Sequence, residues 1–394
     1  MKMFRQIGAV TAMNLRSMPQ RASTSAVIVI GIAGVVAVLV SVLAMSTGLI
    51  RTMENAGRDD RAIVLRNGSI AETSSALDRN SARAVEDGAG IRHNAEGKPI
   101  LSAESMRILS MRKKEDDAEI NVILRGVGPL VTEVRPELKI VAGRMFKPAV
   151  TEIIVGKQAQ AQFKGLNIGD VVHARAANWT VVGVFETNGD SHESSILTDV
   201  ETLNSVDQRG AYQSVTVFLE SKSAFQKFKD SLMANPTLAV DVIPEREYYR
   251  QQSKTMSTII AVIAYVVGGI MAVGAIFAAL NTMYSAVSAR LREIATLRAL
   301  GFGSTAMVMS VLAEAFVLAL IGGVIGAVIA WLFFNGNTVS TSGGGMGQLV
   351  FALSVDGQLM ILGIVWACVI GLLGGLFPAI RAARLPVATA LRAV

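Results

Sequence analysis

The segment Lys254–Arg290, "KTMSTIIAVIAYVVGGIMAVGAIFAALNTMYSAVSAR", carries no charge between its two end residues. Its apolar centre, Thr258–Leu280, exceeds the ~20 residues that a helix needs to cross a bilayer. A membrane-embedded fold follows from this length. Directly behind it comes "SARLREIATLRALGFGS" (288–304), which is short, charged and helix-shaped, and then a further apolar run.

Three other stretches have the same character. Ala26–Ile50 lies in the charge-free interval between Arg21 and Arg51. Val308–Phe334 carries one charge, Glu314, and Leu359–Phe377 ends at Pro378. With 51% hydrophobic and 17% charged residues among 394, the chain is too apolar for a soluble protein. Four transmembrane helices in a 1+3 arrangement are expected, at 26–50, 258–280, 308–334 and 359–377. The first resembles a signal peptide in its basic flank and its Ala44-Met45-Ser46 site, but it is far longer than the ~7–15 residues of such an h-region, and is read as a retained anchor.

Lysine and arginine orient the spans. Lys2, Arg5, Arg16 and Arg21 precede the first, Arg290, Arg292 and Arg298 lie between the second and third, and Arg381, Arg384 and Arg392 follow the fourth. The 335–357 connection has no basic residue. By the positive-inside rule both termini and the 288–301 helix are cytoplasmic. Residues 51–254 then form a large extracytoplasmic domain. It is nearly neutral, with 27 basic and 28 acidic residues over 51–257, so the net charge of +6 reflects topology and not nucleic acid binding. The lone cysteine, Cys368, excludes an intrachain disulfide.

Within that domain, short runs such as "AIVLR" (62–66), "EINVILRGV" (119–127), "LKIVAGR" (138–144), "EIIVG" (152–156), "VVHAR" (171–175), "WTVVGVFE" (179–186) and "SVTVFLE" (214–220) read as strands. Helical patterns fall at 157–163, 200–206 and 224–234, so an α+β fold is expected. Residues 1–25 read as a cytoplasmic amphipathic segment ended by Pro19, 335–357 as a flexible short periplasmic loop, and 378–394 as a cytoplasmic tail.

Catalytic chemistry finds no support. His93, His173 and His192 share no metal-ligand spacing, and "NGDSHESS" (188–195), with Asp190, His192 and Glu193, reads as a polar loop capping the strand before it. No G-x-S-x-G, H-E-x-x-H or phosphate-cradling G-x-x-x-x-G-K-[ST] occurs. "TSGGGMGQ" (341–348) only superficially resembles an ATPase signature and is predicted to lie outside the cytoplasm. Glu314, two turns into its span, is costly to bury and needs an internal partner, with the arginines of the 290–298 helix within reach. Gly322-x-x-x-Gly326 and Gly371-x-x-x-Gly375 fit close helix packing or dimerisation.

An apolar stripe at Val287, Leu291 and Ile294 runs into the 288–304 segment, which has a stop at Gly301. A snorkelling helix end explains Arg290 and Arg292. It leaves the second helical stretch unexplained, and a protruding helix for a cytoplasmic partner accounts for that.

"SARLREIATLRALGFGSTAMVMSVLAEAF" is similar to the E-R-x-x-E-I-(x)-x-x-R-A-L-G-A pattern of MacB/FtsX-type (type VII) ABC transporter permeases. "LFPAIRAARLPVATALR" (376–392), "MNLRSMPQRASTSAVIVIGIAGV" and "GLNIGDVV…WTVVGVFETNGDSHESSILTDV" resemble the family's closing, N-terminal and periplasmic core motifs. The resemblance covers nearly the whole chain and is to the split LolC/LolE-like kind without a fused ATPase domain. It implies a dimer, homo- or heteromeric, that docks a separate cytoplasmic ATPase carrying ATP and Mg, with no cofactor on this chain. Arg292, Glu293, Ile294, Leu297, Arg298, Ala299, Leu300 and Gly301 are the implied ATPase-coupling residues, and Glu314 matches a frequent family glutamate. Phe302-Gly303 departs from the family's usual Ala-Ser. Membrane lipid and a periplasmic adaptor or envelope protein are further implied partners. The expected function is permease-type mechanotransmission, without catalysis in this chain. An ATP-independent, membrane-anchored receptor or regulator of an envelope protein is the alternative.

Overall fold

A computed structural model describes residues 2–17, 22–235, 238–341 and 349–384. The "GGG" part of 341–348 and the tail beyond 384, including Arg392, lie outside the described residues, as does Pro19.

Eleven helices are described: α1 (Lys2–Ser17), α2 (Ala22–Ala56), α3 (Arg79–Glu86), α4 (Val131–Val134), α5 (Lys157–Gln162), α6 (Val200–Val206), α7 (Ala224–Met233), α8 (Glu245–Ala289), α9 (Leu291–Ala299), α10 (Ser304–Phe334) and α11 (Gly357–Arg384). Among them α2, α8, α10 and α11 are long and apolar enough to cross a membrane. The expected spans are the apolar parts of longer helices. At ~1.5 Å per residue the 45-residue α8 is about 65 Å long, because its first turns, "EREYYRQQSK", are polar but contain no helix breaker.

The chain divides into two units. The helical unit comprises Met1–Gly48, Thr258–Asn337 and Leu353–Val394. In its core the paired glycines act within the chain. A Cβ on Gly326 would lie 2.5 Å from the Ala33 carbonyl oxygen of α2, and one on Gly375 would lie 2.6 Å from the Ala315 Cβ of α10. These small residues let the helix backbones approach closely. The helix α1 is not merely a surface element. Val10 is buried in the bundle core and Asn14 Nδ2 donates to Ser310 Oγ of α10 at 2.5 Å.

The second unit, Leu49–Ser257 with Thr338–Ala352, is α+β. Its strands are β1 (Arg61–Arg66), β2 (Leu77–Asp78), β3 (Leu101–Arg112), β4 (Glu119–Val127), β5 (Lys139–Gly143), β6 (Glu152–Gly156), β7 (Val171–Ala174), β8 (Ala177–Glu186), β9 (Ile196–Asp199), β10 (Ala211–Tyr212), β11 (Ser214–Phe218), β12 (Val240–Pro244), β13 (Thr338–Thr341) and β14 (Leu349–Ala352). Ten join in one sheet, ordered β12-β1-β11-β3-β4-β9-β6-β8-β5, with β7 on β8. The long β3 links two lobes: Leu101–Glu104 pair with β11, and Ser105–Arg112 pair with β4. One lobe packs Val64, Val215, Phe228 and Leu232, and the other packs Phe163, Trp179 and Leu203.

The 335–357 connection is not a featureless loop. Its β13 and β14 pair antiparallel, Phe351 is buried, and Val350 N donates to Ser194 Oγ at 3.0 Å. The apolar "LVFALSV" run provides the buried side chains, and the neighbouring glycines hid this from a composition-based reading.

Candidate functional site

The helix α9 starts at a sharp break and ends at a defined stop. Gly301 takes φ +93°, the left-handed conformation that glycine tolerates. Its N–H donates to the Arg298 carbonyl, and Phe302 N–H donates to the Leu297 carbonyl at 3.1 Å. These are the two bonds of a Schellman cap, closed by Leu297 and Phe302 against the same apolar cluster. The residues between divide by face. Ile294 and Ala295 are buried in the helical unit, whereas Arg292, Glu293, Ala299 and Leu300 are exposed, Leu300 at 73%. Ile294 therefore anchors α9 and is not part of its outward face. Leu297 and Arg298 are half-buried, and Arg298 Nη1 donates to the Ala383 carbonyl of α11 at 3.0 Å.

The helix is fixed at its start by Glu314. Arg290, the N-cap residue, donates from Nη1 and Nη2 to the two Glu314 carboxylate oxygens at 3.0 Å each, and both side chains are buried. A bidentate fork of this kind is directional as well as strong. The carboxylate in the span thus has the internal partner that its burial requires.

In the α+β unit a second arrangement appears that sequence reading did not identify. Arg61, fully buried, donates from Nε to Glu245 Oε2 at 2.5 Å, from Nη1 to Glu137 Oε1 at 2.5 Å and to the Val134 carbonyl at 3.0 Å, and from Nη2 to the Ala56 carbonyl at 3.2 Å. Ala56 ends α2 and Glu245 begins α8, so one guanidinium binds both helix ends. A cation at a helix C-terminus and an anion at an N-terminus are each favoured by the helix dipole. The backbones meet here as well, since a Cβ on Gly57 would sit 2.5 Å from Arg246 Cα.

From Glu245 the charges continue inward. Arg135 Nη1 donates to Glu245 Oε1 at 2.6 Å, and its Nη2 lies 3.6 Å from Glu104 Oε1. Arg125 pairs with Glu104 and, at 2.9 and 3.0 Å, with Glu72, which also accepts from Ser214 Oγ at 2.6 Å. Burial would lower the Arg125 pKa, but the charges of Glu72 and Glu104 outweigh it and hold the group well above its ordinary value. For Glu72 burial pushes upward, and the Arg125 charge and hydrogen bonds more than reverse it, leaving the carboxyl below its usual range. Partners up to 184 residues apart in sequence leave no local pattern to detect.

The "NGDSHESS" loop is structural. Asp190 accepts from Thr187 Oγ1 at 2.6 Å and from His192 N at 2.8 Å, and Glu193 accepts from the Thr187 and Gly189 amides. His192 Nε2 meets Tyr249 Oη at 3.1 Å. Among the described residues no group of three or more His, Cys, Asp or Glu could hold a metal.

Residues 22–234 match the model of the MacB-like periplasmic core domain, and residues 256–387 match that of the FtsX-like permease C-terminal domain. The chain is 24% identical over 226 residues to an uncharacterized ABC transporter permease of Methanocaldococcus jannaschii, covering 56% of each protein. It is also 24% identical to the macrolide export ATP-binding/permease protein MacB of Bdellovibrio bacteriovorus, over 91% of this chain and 57% of that one. The chain thus spans little more than half the length of these relatives. Among solved structures, the extracellular domain of the noncanonic ABC-type transporter YknZ from Gram-positive bacteria aligns at a TM-score of 0.36 and 16% identity, over 46% of this chain and 99% of that domain.

Proposed function

Because the chain belongs to the MacB/FtsX-type family of ABC transporter permeases, we propose that it is a permease subunit working with a separate cytoplasmic ATPase, which binds ATP and Mg. In this reading it sits in the bacterial inner membrane with both termini cytoplasmic, pairs with a second permease copy or paralogue, and transmits the ATPase cycle to its periplasmic α+β unit. The cargo is a lipid, lipoprotein, peptide or drug-like molecule that is exported or extracted.

One observation carries the proposal. The helix α9 is anchored by a buried inner face and a bidentate Arg290–Glu314 pair, yet it presents Arg292, Glu293, Ala299 and Leu300 outward. A nine-residue helix held this firmly, with an exposed leucine at its end, suits a load-transmitting contact with a partner. Continuity of α2 and α8 from the spans into the α+β unit supports the onward relay.

The test is co-purification of the full-length chain from its own host with a soluble ABC ATPase. Leu300→Asp and Glu293→Arg should weaken that pairing or uncouple hydrolysis while leaving the permease folded. Should the chain remain partnerless and function normally with 288–301 replaced by a neutral linker, the receptor alternative stands instead.

A further inference from the structure

The α+β unit contains a cavity of about 330 Å³ whose walls come entirely from that unit. Its size falls in the range of ~300–1,000 Å³ typical of small-molecule sites. One wall is apolar: Leu49 and Met53 from α2, Met106 and Ile108 from β3, Ile123 from β4 and Met256 from α8. Three of these six are methionines, whose unbranched, polarizable side chains adapt to varied apolar shapes. Ile108 is 37% exposed, so this wall can be reached from solvent.

The polar side of the cavity is cationic. Arg107, Arg125, Arg175 and Arg209 line it, against one carboxylate, Glu72. Arg125 is committed to Glu72 and Glu104, and Arg107 to Asp207. That leaves Arg175 and Arg209, both exposed. Arg175 reaches only 4.0 Å from Asp207, the carboxylate already held by Arg107. Arg209 makes no ion pair among the described residues. The turn between β7 and β8 holds Arg175 at φ +58°, a left-handed conformation that costs energy for a residue with a side chain.

We propose that this cavity binds an anionic amphiphile, its apolar body against the methionine-rich wall and its carboxylate or phosphate head between Arg175 and Arg209. An apolar site with a few convergent polar groups is the usual form of a ligand pocket, and arginine is suited to both heads. As a cargo site it rests on the permease reading; as a binding site it does not.

The test uses the full chain in phosphatidylcholine nanodiscs, with Cys368→Ser and Ile108→Cys, and follows reaction of the new thiol with a neutral, water-soluble maleimide. Decanoate and decyl phosphate should each slow labelling by about tenfold at saturation, and 1-decanol much less. Adding Arg175→Gln and Arg209→Gln should raise the half-protecting concentration about tenfold, the scale of a charge-assisted hydrogen bond. Stronger protection by decyl phosphate assigns a phosphate-headed lipid as the source, and stronger protection by decanoate assigns a carboxylate. Absence of protection, or equal protection by decanol, overturns the proposal. Should Ile108→Cys fold poorly, Thr73→Cys, exposed on the same cavity, reports the same event. The labelling readout is independent of ATPase pairing, so failure of one reading leaves the other standing.

Discussion

Arg61 Nε and Glu245 Oε2 lie 2.5 Å apart with both side chains at zero exposure, joining the first strand of the α+β unit to the first residue of the 45-residue α8. Water contributes nothing to this pair, so removing Glu245 leaves the buried Arg61 with Glu137 as its remaining carboxylate, and removing Arg61 leaves Glu245 with Arg135.

Glu245→Gln should therefore destabilise the α+β unit by about 3–5 kcal/mol, the cost of breaking a buried ion pair from one side. The same carboxylate serves Arg135, but Arg61 keeps Glu137 and Arg135 keeps Glu104, so the effect should lie toward the lower end. Protease resistance of the full-length protein across a denaturant series measures it. A loss below about 1 kcal/mol would show that the cluster bears no load.

Gly57→Ala places a methyl group 2.5 Å from Arg246 Cα, where only backbone can yield. Overpacking of about 1–3 kcal/mol is expected. Gly210→Ala is the control, since nothing lies within 4 Å of its would-be Cβ. Thermal midpoints of the two variants in identical nanodiscs should separate clearly, and coincident midpoints would contradict the close approach.

Acid should loosen the α+β unit. The Glu72 and Asp190 carboxyls are both held below their ordinary values: burial opposes this, but Arg125 and Ser214 at Glu72, and His192 and Thr187 at Asp190, prevail. A depressed native pKa contributes stability that is complete above the unfolded value of ~4 and is lost as pH falls through the native one. Protease resistance should hold from neutrality to about pH 5 and decline below about pH 4. Glu72→Gln should start lower and decline less steeply. Rising resistance below pH 4 would reverse the assigned sign.

Gly326→Leu should disrupt the helical unit, because its side chain would enter the α2 backbone at Ala33. Gly274→Leu on α8 meets open space and should leave the chain folded. If Gly274→Leu changes the oligomeric state on size-exclusion chromatography, that face of α8 carries a subunit contact. A folded, unperturbed Gly326→Leu would refute the packing described for α2 and α10.

What the sequence revealed follows the reach of its signals. Apolar length marks a span and a φ-demanding glycine marks a helix end, so the apolar parts of the four long helices and the Gly301 cap were legible. Strands such as β1, β4, β6, β8 and β11 were legible because their burial is carried by Val and Ile. The twelve-residue β3 was missed although it is the longest strand, because its buried positions include Ser102, Glu104, Ser105 and Arg107. Those residues read as solvent-facing until Arg125, Arg135, Asp207 and Asn204 are brought to them by the fold. The polar start of α8 was hidden for the same reason: a hydropathy profile records where lipid could be, and a helix does not stop there.

The joint between α2 and α8 sets a limit on motion. The Arg61–Glu245 bond can lengthen from 2.5 Å to roughly 3.5 Å before it ceases to be a hydrogen bond. The slack is about 1 Å, less than the ~1.5 Å rise of a single helical residue. While this bond and the buried side-chain conformers persist, β1 and the start of α8 move together, and a longer stroke along α8 must either carry the sheet with it or break the bond.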